Sequence, residues 1–163
     1  MSLQRHNLGY LRMAVENALV EHLALAVPGA NVRAAYTTAR EDYPMVIVHA
    51  ERTREMNEED YRLARYVDVA VRVKTYAEPA EGGYSNAGLL TAREAHFELV
   101  AEVTHSLAQA GIVESLNTLA VPRVSFWSLY VRGDEGAVDE PAYLTSISIE
   151  VGATPQADAE VEE

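Results

Sequence analysis

Residues Arg65 to Tyr76 read RYVDVAVRVKTY, with Val67, Val69, Val71 and Val73 at every second position and Asp68, Arg72 and Lys74 between them. A period of two sends successive side chains to opposite faces of a pleated strand, so one face is all valine and the other is largely charged. Branching at Cβ suits valine to a packed sheet surface. The stretch therefore predicts an antiparallel-type strand with one face on a core and the other toward water or another subunit.

The rest of the chain must supply that core. At 163 residues, with 48% apolar and 23% charged side chains, the composition is that of an ordinary globular protein and suits one domain. No stretch approaches the roughly 20 apolar residues of a membrane span, and MSLQRHNLGYLRMAVEN lacks the features of a secretory signal. The absence of cysteine excludes disulfides, a thiol nucleophile and thiolate metal sites, and fits a reducing compartment. The formal charge is −12, and without Asp158, Glu160, Glu162 and Glu163 it is still −8. Such a surface is not built to neutralise phosphates, although an acidic wall can lie beside DNA and repel it.

Before the valine strand, Asn7 to Val27 carries a helical stripe of Leu8, Leu11, Val15, Ala18, Leu19, His22 and Ala26, with Asn7 as N-cap and Pro28-Gly29 as the stop. His22 reads as a satisfied boundary histidine. Asn31 to Tyr36 is a weak strand candidate, Tyr43-Pro44 a turn or strand entry, and MVIVHA, Met45 to Ala50, a buried strand. ERTREMNEEDYRLA, residues 51 to 64, reads either as a solvated hairpin arm or as an arm touching a neighbouring subunit through Met56.

After the valine strand, residues 77 to 88 form a loop by composition; Gly82-Gly83 matches neither phosphate-loop pattern. Thr91 to Ala110 predicts a helix, with Thr91 and Glu94 as a capping box and His96, Leu99, Val100, Val103, Leu107 and Ala110 on its apolar stripe. Gly111 stops it, and Ile112 to Leu119 reads as a short apolar connection. Val124 to Arg132 predicts a strand with Trp127 as an interior anchor, or less readily a ligand-stacking ring. A hairpin turn is expected over residues 133 to 141, at Gly133, Gly136 and Pro141. In Tyr143 to Val151, Thr145, Ile147, Ile149 and Val151 share one face, and Leu144, Ser146, Ser148 and Glu150 the other. The expected organisation is one α+β domain over residues 1–153, with an antiparallel or mixed sheet and two main helices on one face, followed by a disordered acidic tail over 154–163.

No catalytic motif emerges. There is no GxSxG, HExxH, P-loop or cysteine nucleophile. Glu58, Glu59 and Asp60 read as a solvated run, and His6, His22, His49, His96 and His105 show no ligand spacing. The expectation is a protein that is not an enzyme and uses no cofactor or metal.

The layout nonetheless resembles a known family. A first helix, the proline-led strand PMVIVHA, a charged connection, YVDVAVRVKTY, a loop, a long helix ending SLAQAG and a hairpin ending YLTSISIEVGATP together resemble the tail terminator (tail-completion) and neck proteins of long-tailed bacteriophages, over about residues 5 to 153. The resemblance implies a virion protein, assembled in the host cytoplasm, whose subunits form a ring, usually a hexamer. That ring sits on the last ring of tail-tube protein, faces the head-connector protein, and passes DNA through its centre without specific binding. Subunit contacts are then expected on the polar face of the valine strand and on the arm, at Arg52, Arg54, Glu55, Met56, Asp68, Arg72 and Lys74. Two other readings stand beside it. One is a small-molecule-binding α+β domain or enzyme with its ligand between sheet and helices, near Trp127, Tyr130 and His96. The other is a different phage head-completion or minor capsid adaptor.

Overall fold

In the computed structural model, residues 9–35, 42–55, 63–77, 86–119, 124–139 and 142–155 are described. Among them the order is α1 (Leu11–Ala26), β1 (Asn31–Ala34), β2 (Met45–Glu55), β3 (Arg65–Tyr76), α2 (Asn86–Ala108), α3 (Ile112–Leu119), β4 (Val124–Asp139) and β5 (Ala142–Pro155). The strands form one sheet in the order β1-β2-β3-β5-β4. β1 runs parallel to β2 and every other pairing is antiparallel. The fold is α+β with a mixed sheet.

The valine strand lies at the centre of this sheet, and its alternation survives intact. Val67, Val69, Val71 and Val73 are buried, while Asp68, Arg72 and Lys74 are half-buried on the other face. Ile147, Ile149 and Val151 continue the apolar layer on β5, and Val46, Val48 and Ala50 continue it on β2. Leu11, Val15, Leu19 and Leu23 of α1, Val103 and Leu107 of α2, and Ile112 and Leu116 of α3 close the core from that side. Removing each large aliphatic side chain from water contributes about 1.5–3 kcal/mol, which is why all three helices gather on the valine face.

Several boundaries differ from the sequence expectation. Ile112–Leu119 is a helix, not a connection; Ile112 and Leu116, four residues apart, form a single buried stripe. α2 begins at Asn86, five residues before the expected capping box, so Thr91 to Glu94 lies inside the helix. The expected turn at Gly133 and Gly136 is strand: these residues face Ser148 and Thr145 in the ladder, and the hairpin closes between Asp139 and Ala142. Glycine weakens a strand without forbidding it when a long partner supplies the hydrogen bonds. β5 also runs on to Pro155, two residues into the expected tail. The N-cap at Asn7, the arm residue Met56 and the tail from residue 156 lie outside the described residues.

β2 continues through residues 51–55, pairing with β3, so this part of the arm is strand. Tyr43-Pro44, which leads into it, is a cis peptide.

Candidate interaction surface on the open sheet face

Three β-bulges determine what the outer face of the sheet displays. On β2 the inward set is Val46, Val48 and Ala50, so strict alternation would turn Arg52 and Arg54 into the core. A register shift between Ala50 and Arg52 reverses the parity and places them opposite Asp68 and Tyr66 of β3. α1 secures this irregularity: the Ala50 amide donates to Glu16 Oε2 at 2.9 Å, and an Arg12 guanidinium nitrogen donates to the Glu51 carbonyl at 3.1 Å. On β4, shifts between Phe126 and Ser128 and between Val131 and Gly133 leave Trp127 and Arg132 as the extra residues. Bulges of this kind re-aim side chains where function requires it.

The re-aimed groups meet. Arg54 forms a fork on Asp68, Nε to Oδ2 at 2.9 Å and a terminal nitrogen to Oδ1 at 2.8 Å, while also reaching Glu150. Arg52 Nε donates to Asp68 Oδ2 at 2.6 Å. Arg132 donates to the same Glu150 oxygen as Arg54. Three guanidiniums thus share two carboxylates across four strands. The Arg54 hydrogen bonds, with help from Arg52, hold the Asp68 carboxyl below the usual carboxylate range, and burial opposes them. The same bonds, from Asp68 first and Glu150 second, raise Arg54 further above its already high value. Partners held by several charge-assisted hydrogen bonds at once suit positional rigidity.

Aromatic rings flank the lattice. Tyr66 lies edge-on to Trp127, with ring centroids 5.4 Å apart, and Arg54 sits 5.5 Å above the Tyr66 ring. Trp127 lies over Gly152, where a Cβ would come within 2.7 Å of the indole. Trp127 is 39% exposed and Tyr130 63% exposed. The interior anchor expected at Trp127 is therefore a surface ring: Phe126 beside it is buried, so alternation turns Trp127 outward, and the register shift that follows keeps Tyr130 and Arg132 on the same outer face. A hollow of 360 Å³ opens on this face, lined by Glu51, Arg52, Arg54, Asp68, Arg132 and Ser148.

Of the residues expected at a contact surface, Arg52, Arg54 and Asp68 are directly joined. Arg72 pairs with Glu51 at 3.8 Å beside the group, and Glu55 pairs with Arg65 at 3.7 Å at the end of the hairpin. Lys74 lies further along the same face, opposite Met45 and Leu144. Glu150, Arg132, Tyr66 and Trp127 were not expected there. The charged residue at the end of the YLTSISIEV alternation marked Glu150's face, but not its partners.

The ligand site imagined near Trp127, Tyr130 and His96 does not form. His96 is buried at 3% exposure between α2 and the sheet, where its two ring nitrogens pair at 2.8 Å with the hydroxyls of Thr75 and Thr145. Trp127 and Tyr130 belong to the opposite surface. His22 pairs with Ser106 at 2.7 Å, tying α1 to α2. Among the described residues no group of three or more His, Cys, Asp or Glu could hold a metal, and no helix is long and apolar enough to cross a membrane. Compared with known proteins, the chain matches no family model, and no curated protein matches it.

Proposed function

We propose that this protein is the subunit of a ring-forming virion component of the tail-terminator type, capping the tail tube and joining it to the head connector. The observation that carries the reading is the open sheet face. Arg52, Arg54 and Arg132 are held in a shared ion-pair lattice beside Trp127, Tyr66 and Tyr130, on the side of the sheet that the three helices leave uncovered. Arginine, tryptophan and tyrosine are the residues enriched where proteins meet, and a pre-ordered lattice loses little side-chain entropy when a partner arrives. The charge of −12 suits a ring around DNA, since repulsion lets a polyanion slide.

Light scattering on the purified chain, followed by negative-stain imaging, tests the reading. The expected result is a closed ring with a central hole that binds purified tail tubes. A species that remains monomeric both at high concentration and with tubes present would overturn it. A ring that ignores tubes but binds heads would move the protein to the head-completion adaptors. Replacing Arg54, Glu55 and Met56 together is expected to abolish assembly while leaving the subunit folded.

A further inference from the structure

We infer that the ring closes by a head-to-tail contact between two different patches, in which the arginine-rimmed aromatic face of one copy enters a glutamate-rimmed apolar groove on the next. This rests on the ring reading above.

The receiving groove encloses about 420 Å³ where α1 ends, β2 begins and α2 crosses the sheet. Val27, Pro28, Tyr43 and Leu99 supply apolar wall, and Glu98 and Glu102 stand on one side. With Glu94 they make an exposed i, i+4, i+8 acidic row on α2. Like charges at that spacing disfavour an isolated helix, so a cationic partner would relieve a cost that the subunit bears alone. The entering patch has the inverse composition. Trp127 and Tyr130 offer exposed rings beside Arg132 and Arg52, the latter with 71% of its side chain exposed, and because three guanidiniums face only the two carboxylates of Asp68 and Glu150, the lattice keeps a net charge of +1.

The position of the two patches on the sheet suits such a contact. β3 runs from Tyr66, beside the aromatic patch, to Tyr76, beside the groove. The aromatic patch lies toward edge strand β4, and the groove toward edge strand β1. The patches therefore occupy opposite corners of one sheet, and a copy cannot satisfy its own groove. Contacts between unlike patches propagate and close into rings when the rotation per subunit allows, whereas a self-complementary patch stops at a dimer.

Charge reversal tests the pairing. One variant carries Arg52→Glu and Arg132→Glu; the other carries Glu98→Arg and Glu102→Arg. Each alone is expected to lose at least tenfold in assembly by light scattering, and an equimolar mixture is expected to recover it, because the two alternate around the ring with every contact complementary. Tyr130→Ser is expected to weaken assembly without altering the melting transition, which guards against loss of fold in the arginine variant. The chain has no cysteine, so proteins bearing Tyr130→Cys and Glu98→Cys can be mixed and oxidised. A mixed disulfide is the expected product, and Leu25→Cys in place of Glu98→Cys should give none. A wild-type ring that survives both reversals, or Tyr130→Cys linking only to itself, would overturn this contact and leave the ring standing. A wild-type chain that stays monomeric with tubes present and forms no mixed disulfide would overturn both.

Discussion

His96 shows how a residue can occupy a core without breaking it. A neutral imidazole has one N–H to donate and one lone pair to accept, and the Thr75 and Thr145 hydroxyls each supply the complement. Desolvation lowers its pKa below 6.5. Burial does the same to His22, partly offset by its bond to Ser106. Both groups bind protons more weakly folded than unfolded, so their contribution is fully present above pH 6.5 and is lost as the pH falls below it toward the folded values. Urea titrations should show stability declining from pH 7 to pH 5 in the wild type. His96→Leu should flatten part of that slope. It should also cost about 1–3 kcal/mol for each threonine hydroxyl left buried without a partner. A slope unchanged by the substitution would remove His96 from the account. Gly152 makes a second claim at this scale. A Cβ there meets the Ser128 hydroxyl first and the Trp127 indole at 2.7 Å, so Gly152→Val must displace both and should shift the fluorescence of this single tryptophan.

Among the elements, β3 carries the most. Its inward valines form the middle of the buried cluster between β2 and β5, and its outward Asp68 anchors the arginine lattice. Val69→Asp puts a charge without a partner at a site 3% exposed and should unfold the protein outright, as read by far-ultraviolet circular dichroism. Leu107→Ala on α2, at a fully buried position, should leave the fold in place and lower stability by about 2–5 kcal/mol in denaturant titration. Much of this element plan was legible in the chain. Period-two valines and period-3.6 leucines state directly which face is wet. The third helix was harder to see because two buried residues over eight positions are too few to distinguish a helical stripe from a short apolar run. The glycines of β4 misled because turn chemistry is local, whereas the long β5 partner supplies ladder bonds from far along the chain.

For the whole molecule, the proposed contact between oppositely charged patches has a dependence of its own. Rim arginines and glutamates sit in water, and raising salt from about 0.05 M to about 1 M shortens the screening distance from more than 10 Å to about 3 Å. Ring formation should weaken over that range while the melting temperature of the subunit changes little, a comparison made by light scattering and calorimetry on the same samples. If the assembly tightens with salt instead, apolar burial dominates the contact and the glutamate rim is incidental.

Alternation and helical spacing act between residues a few positions apart, so the chain by itself determined the α+β class, the wet and dry faces of β3, and the position of His96 against the core. Arg54, Asp68, Glu150 and Arg132 come from four strands and up to 96 positions apart. Their meeting depends on strand order and on three shifts of register. Those are settled only when the ladders form and the helices close over one side, because hydrogen bonding between distant strands, rather than any local preference, chooses which residue stands opposite which.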